Sequence, residues 1–224
     1  MLNTFLNRLF YYLSMDINQS QVEVWNSIAP EWHGFKVHPS QHVKQFLEDF
    51  KGKEFKILDH GSGSGRHILD LPKKFESELY FVDFSSEMIK LAKKRAKESK
   101  LKNINFDVAD IASLPYEDNF FDALFSIASI HCQKKELQEK TVQEIYRILK
   151  PGGKALIEVW NKHSNRFEKH KGQEKMVRWR DKGKRYYYLF EENEIHSIFE
   201  KNNLKIIKKL EHGVNISFIV EKSS

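Results

Sequence analysis

The chain has 224 residues, 40% of them hydrophobic and 13% aromatic, an ordinary globular composition. That length suits one α/β domain burying roughly 70% of its unfolded surface. A single cysteine, Cys132, excludes an internal disulfide framework and a zinc cluster, so no metal is expected and a reducing, cytoplasmic setting is the simplest reading. The net charge of +6, from 37 Lys and Arg against 31 Asp and Glu, is compatible with an anionic partner without establishing one.

Leu2, Phe5, Leu6, Leu9, Phe10 and Leu13 fall at helical spacing, interrupted by Asn3, Asn7 and Arg8. The run is too short and too interrupted for a membrane span, and no small-residue cleavage site follows. Three readings stay open: a helix packed on the domain, a membrane-surface helix, or an extension upstream of a start at Met15. The stretch from Val22 to Trp32 reads as a helix limited by Pro30. A second helix begins at Ser40, with Val43, Phe46, Leu47 and Phe50 on one face. Residues 1–50 are therefore expected to form a helical cap on a catalytic domain over 51–224.

From there strands and helices alternate. Strands are expected at Phe55–His60, Leu79–Asp83, Ile104–Val108, Asp122–Ile127 and Lys154–Trp160. Helices are expected at Ser86 to about Ser99 and at Lys135–Leu149, the latter stopped by Lys150-Pro151-Gly152-Gly153. Strands separated by helical patterns predict βαβ units and a parallel sheet. After a helix near Glu191–Lys201, two strand patterns, Lys205–Leu210 and Val214–Val220, are joined only by Glu211-His212-Gly213. So short a connection cannot make a parallel crossover, and the last two strands should pair antiparallel. The predicted fold is α/β: a seven-stranded, mostly parallel sheet with a terminal antiparallel hairpin and helices at the N-terminus.

The chain is organised around Asp59-His60-Gly61-Ser62-Gly63-Ser64-Gly65, where the first strand runs into alternating glycines and then a helix-compatible segment, His67–Leu71. Glycines there let a ligand approach the backbone, and an acid at a strand end can accept from an ammonium group. Asp83 ends the second strand about twenty residues later, where a carboxylate can take two ribose hydroxyls. It could instead cap the next helix, a role that Ser85 or Ser86 can fill. Asp110, just past the third strand, can accept from an adenine amino group while Ile111 covers the ring. Three acids at three successive strand ends point to an adenosyl cofactor. No Gly-Lys-Ser/Thr run is present to cradle phosphates.

The Asp-His-Gly-Ser-Gly-Ser-Gly motif, Asp110–Tyr116, Phe120-Phe121-Asp122 and Leu149–Gly153 together resemble the class I methyltransferase superfamily across almost the whole chain. The resemblance implies S-adenosylmethionine as cofactor, held by Trp25, Asp59, Gly61, Ser62, Gly63, Gly65, Asp83, Phe84, Asp110, Ile111 and Ile127. Val24–Pro30, Ser126–His131, Ala155–Trp160 and Arg185–Phe190 are similar to the tRNA wobble-uridine carboxymethyl methyltransferases. That family implies methylation of 5-carboxymethyluridine at the anticodon wobble position. His131 and Arg185 would act on the carboxylate, in a pocket bordered by His131, Trp160, Trp179, Arg185, Tyr186 and Tyr187. It also implies a tRNA substrate and a small zinc-ribbon activator subunit beside strand three, with Phe106 as a contact. Trp25, Tyr188, Lys36 and His38-Pro39 depart from the family pattern.

The charge between 161 and 190 fits the tRNA reading. Ten basic residues and three acids lie between 161 and 185, a local excess of seven that leaves the rest of the chain near −1. Cations interleaved with Trp179, Tyr186 and Tyr187 match what single-stranded RNA requires, phosphate contacts and aromatic faces. Cys132 reads as a small buried residue and not a nucleophile. A methyltransferase for a small molecule such as a quinone precursor, and a non-catalytic RNA-binding subunit, are the competing readings.

Overall fold

The computed structural model describes residues 20–52, 54–71, 76–211 and 213–223. The apolar run before Met15 lies outside these. The first helix, α1, covers 20–35, and α2 covers Gln41–Glu48. Pro30 does not end α1. The helix runs on through it to a bond from the Lys36 N–H to the Trp32 carbonyl (2.8 Å). Burial of Trp25, Ile28 and Ala29 against Met88 and Tyr187 outweighs the local penalty.

The central sheet has seven strands in the order β3-β2-β1-β4-β5-β9-β8. These are β1 (Lys56–His60), β2 (Glu78–Asp83), β3 (Ile104–Val108), β4 (Phe121–Ile127), β5 (Leu149–Trp160), β8 (Leu204–Lys209) and β9 (Asn215–Lys222). β9 alone runs against its neighbours, so the expected hairpin inserts its second strand between β5 and β8. The helices are α3 (Ser86–Glu98), α4 (Lys135–Ile148) and α5 (Glu192–Lys201).

Side chains alternate across the strands, as a period of two requires. Leu58, Val82, Leu124, Ala155 and Ile157 pack on one face with Val142, Ile145 and Ile148 of α4 and Ile195 and Phe199 of α5. Ile57, Phe81, Ala123, Phe125 and Leu156 pack on the other with Val43, Phe46 and Leu47 of α2 and Ala96 of α3. Helices therefore cover both faces of the sheet, and the carboxyl ends of the parallel strands open onto one edge.

Three elements differ from expectation. β5 begins at Leu149, not Lys154: Leu149 pairs with Phe121, and a register shift absorbs Lys150–Gly153 inside the strand. The segment expected as a helix after the glycines is a 3₁₀ turn, Arg66–Asp70. The basic segment, where the sequence pattern marks no strand, forms two. β6 (Glu174–Arg178) and β7 (Lys184–Tyr188) pair as an antiparallel hairpin that lies against α1. Among the described residues, no helix is long and apolar enough to cross a membrane.

Candidate active site

A cavity of about 380 Å³ opens at the carboxyl ends of β1, β2 and β4, roofed by α1 and the β6–β7 hairpin. Its floor is the glycine turn, whose three glycines have separate roles. A Cβ on Gly61 would lie 2.3 Å from Ser129 Oγ, and one on Gly65 would lie 3.0 Å from Ile68 and 3.1 Å from Ala92 of α3. Both allow close packing. Gly63 instead faces the cavity at φ 53°, with Trp32 Nε1 at 3.9 Å as the nearest atom to such a Cβ.

Asp83 sits beside that glycine. Its Oδ2 accepts from the Gly63 N–H (2.9 Å) and its Oδ1 from the Ser85 N–H (2.9 Å). Each carboxylate oxygen still has a lone pair for a ligand hydroxyl. Burial pushes the carboxyl up to about 6, against the lowering effect of those two N–H bonds. Capping of α3 falls to Ser85, whose Oγ accepts from Met88 N–H (3.1 Å) and donates to Asn26 Oδ1 of α1 (2.6 Å). Asp110 is exposed at the cavity wall. Its Oδ1 accepts from Ala112 N–H (2.9 Å), and its Oδ2 takes no bond among the described residues. Ile111, Ile127, Phe84, Ser62 and Trp25 also line the cavity. An open acceptor pair, a glycine facing inward and an apolar wall suit the ribose, backbone contact and adenine of an adenosyl group.

Two expected cofactor residues stand back from this surface. Gly65 packs under α3, and Asp59 is buried with its Oδ2 accepting from His67 Nδ1–H (3.0 Å). His67, which the sequence reading missed, lines the cavity in its place. His60 is wholly buried, with Nδ1 bonded to Ser126 Oγ (3.0 Å) and Nε2 to the Ile111 carbonyl (3.3 Å). Burial lowers it to about 4, so it is a neutral brace between strand ends.

The opposite end of the cavity is aromatic and cationic. His131 Nδ1 accepts from the Trp160 N–H (3.0 Å), which places its proton on Nε2. Burial, with Arg166 and Lys36 nearby, lowers it to about 3, so the ring is neutral. Trp160 stacks on His131 (4.8 Å) and on Tyr187 (4.2 Å). Arg185, only 6% exposed, donates from Nη1 to Tyr187 Oη (2.6 Å) and lies 4.8–5.6 Å from the rings of Trp25, Trp32, Trp179 and Tyr187. Among the described residues it has no acidic partner, and its buried Nε has no bond. A guanidinium held by aromatic faces without a counterion is a ready anion site.

The structure brings His131, Trp160, Trp179, Arg185 and Tyr187 together here. Tyr186 is the exception. Alternation along β7 turns it and Tyr188 into the core, where their hydroxyls donate to Glu174 (3.0 Å) and Glu194 (2.6 Å). Lys36, Phe35 and Arg166 line the cavity without having been expected. Burial pushes the Cys132 thiol up, and its Sγ–H donates to the Ala128 carbonyl (3.3 Å), as an inert residue would.

Glu31 of α1 holds the roof together. It accepts from Trp179 Nε1 (2.7 Å) and pairs with Arg180 (3.1 Å) and Lys182 (2.9 Å) at the hairpin turn. Of the remaining basic residues here, Arg166, Lys169, Lys171, Lys175, Arg178 and Lys184 have no acidic partner among the described residues. β3 is one of the two edge strands of the sheet, the other being β8; its Val108 is exposed, while Phe106 is half-buried and stacks on Phe81 (5.5 Å).

Residues 51–203 match the family model described as "Methyltransferase domain". "Probable tRNA methyltransferase 9B" of Homo sapiens is 30% identical over 176 residues, which is 74% of this chain and 35% of that protein. The "tRNA (carboxymethyluridine(34)-5-O)-methyltransferase" of Arabidopsis thaliana is 33% identical over 138 residues, 61% of this chain and 31% of that protein. The chain thus spans about a third of the length of these curated relatives. Among solved structures, an S-adenosylmethionine-dependent methyltransferase of Methanosarcina mazei superposes with a TM-score of 0.66 at 23% identity, covering 80% of this chain and 97% of that one. A complex of the Trm112 methyltransferase activator with a methyltransferase of Haloferax volcanii gives 0.61 at 16% identity, covering 89% and 98%.

Proposed function

The chain belongs to the S-adenosylmethionine-dependent methyltransferases, and on that premise we propose that it methylates the carboxylate of 5-carboxymethyluridine at the wobble position of tRNA. The observation that carries this reading is Arg185, a buried cation with no acidic partner among the described residues, lining the same cavity as the neutral His131 and joined to it through Tyr187. A carboxylate supplies the missing anion. The name of the Arabidopsis relative supports the same substrate.

The cofactor, when bound, supplies a methyl group on a sulfonium. Asp83 and Asp110 take its ribose and adenine, and the Gly61–Gly63 turn receives the rest. At the other end Arg185 and the Nε2–H of His131 orient the substrate carboxylate. That group is ionised at neutral pH, so no general base is needed. Arg185 and His131 hold one carboxylate oxygen in line to receive the methyl group. Opposite charges vanish together, so in-line positioning and exclusion of water carry most of the rate, with proximity worth up to roughly 7–11 kcal/mol. Of the expected cap, the described α1 roofs the site and α2 packs on the sheet, and 161–190 acts as the substrate segment, whose unpaired cations suit tRNA phosphates. Of the two edge strands, β3 is the proposed seat of an activator subunit, with Val108 presented there and Phe106 contributing from behind.

The test is methylation of tRNA carrying the free acid. Labelled methyl should enter the wobble nucleoside and be lost when Arg185 is replaced. Labelling of a small-molecule acceptor with none on tRNA supports the competing reading.

A further inference from the structure

The cavity carries more positive charge than one carboxylate uses. Lys36, Arg66, Arg166 and Arg185 all line it, against Asp83 and Asp110 at the adenosyl end. Among the described residues, Lys36, Arg166 and Arg185 have no acidic partner. Arg66 lies beside the glycine turn and gives an N–H to the His38 carbonyl (3.4 Å). The cations repel one another. Lys36 is lowered first by burial and then by Arg66, Arg166 and Arg185. The cofactor brings no relief, because its carboxylate, ammonium and sulfonium leave it with a net positive charge. A substrate carboxylate neutralises one cation, and the others still face the site.

Arg166 differs from the rest in position. It is exposed, on a 3₁₀ turn (Asn165–Phe167) that the buried Phe167 anchors against Trp160. Its guanidinium lies 4.3 Å from the centre of the Trp160 ring, in contact with an aromatic surface and no anion. A cavity of about 380 Å³ is near the small end of ligand sites, roughly 300–1,000 Å³, so cofactor and base fill it and a phosphate stays at the rim. The exposed Arg166 stands at that rim, and the half-buried Lys36 lines the same cavity.

We infer that Arg166 and Lys36 form a phosphate subsite separate from the carboxylate handle at Arg185, so that the site reads a phosphorylated nucleotide and not the modified base alone. The inference rests on the proposed function for the role of Arg185, but the phosphate contact stands without it. An Arg guanidinium held over the Trp160 ring is a planar donor set already against one surface, so less ordering is needed when a phosphate docks.

The experiment is calorimetric titration of the protein, saturated with S-adenosylhomocysteine, with 5-carboxymethyluridine and with its 5′- and 3′-monophosphates. Uridine and its monophosphates are titrated alongside. One monophosphate should bind about tenfold tighter than its nucleoside, a gap that a charge-assisted phosphate contact supports. Arg166→Gln should shrink that gap below about threefold, and Arg166→Lys should restore part of it, since the charge returns without the planar fork. Lys205→Gln, on the exposed surface of β8, should leave the gap as in the wild type. Equal affinities for nucleoside and monophosphates in the wild type, or a gap that survives Arg166→Gln, overturn the subsite. If the gap holds in the uridine series but the carboxymethyl group adds no affinity, the subsite stands and the carboxylate role of Arg185 fails.

Discussion

Asp83 gives the most quantitative handle on the cofactor end. Burial raises its carboxyl from 3.8 to about 6, even though Ser85 and Gly63 donate N–H bonds to it and pull the other way. Because the folded value lies above the unfolded one, Asp83 favours the fold fully below about pH 4, and that contribution is lost as pH rises through 6. Holding this carboxylate ionised in the free protein at neutral pH therefore costs roughly 3 kcal/mol. Ribose hydroxyls donate best to the ionised form, so binding and ionisation are coupled. At pH 5 about one molecule in eleven is ionised at Asp83, against nearly all at pH 7.5, so the apparent Kd for S-adenosylhomocysteine should be about tenfold higher at pH 5. Asp83→Asn removes the titration and two charge-assisted acceptors worth together about 2–3 kcal/mol, weakening binding roughly 30- to 160-fold at pH 7.5. The assay is calorimetric affinity between pH 5 and 8 for both proteins. Any slope that Asp83→Asn retains belongs to other groups. Identical slopes in the two proteins refute the coupling, and undiminished affinity in Asp83→Asn refutes the ribose contact.

Three further predictions probe the site and its scaffold. Arg185→Met replaces a buried cation without an acidic partner by an apolar chain of similar length. Thermal stability should hold or rise by about 1 kcal/mol, while KM for the carboxylate substrate climbs roughly 30- to 100-fold and S-adenosylhomocysteine affinity stays within about threefold. Gly61→Ala puts a Cβ 2.3 Å from Ser129 Oγ at a φ of 76°, and denaturant unfolding should show a loss of about 2–4 kcal/mol. Lys171→Glu with Lys175→Glu should weaken tRNA binding at least about tenfold in 150 mM salt and flatten its salt dependence by about one to two ion equivalents, as measured by filter binding.

Much of this architecture is written in local pattern. The near-continuous apolar runs in Leu79–Val82 and Ala123–Ile127, the Pro-Gly-Gly stop and the short link before β9 are short-range signals, and the sheet follows from them. Asp83 and Asp110 are legible because they end strands, so topology alone brings them to one edge. What the sequence hides is long-range. Arg166 and Lys36 reach the cavity only because the Phe167 turn and the end of α1 fold over it. His67 comes forward because Asp59 turns back to accept its Nδ1–H. The inward turn of Tyr186 does have a local signal. In a strand reading Lys184-Arg185-Tyr186-Tyr187-Tyr188, residues 185 and 187 share one face and 186 the other. The density of cations between 161 and 185 masks that signal, because few of its residues are apolar enough to mark a strand face. Pro30 misleads for the opposite reason. Its local rule fails where Trp25, Ile28 and Ala29 bury enough apolar surface to override it.

The central claim is that a carboxylate on the wobble base is the methyl acceptor. The direct measurement is mass spectrometry of nucleosides from tRNA bearing 5-carboxymethyluridine after incubation with the protein and methyl-labelled S-adenosylmethionine, with any required activator subunit supplied. One labelled methyl should appear on that nucleoside, and mild alkali should remove it, as it removes an ester. Label that survives alkali, or that sits on another nucleoside while the 5-carboxymethyluridine stays unmodified, contradicts the account.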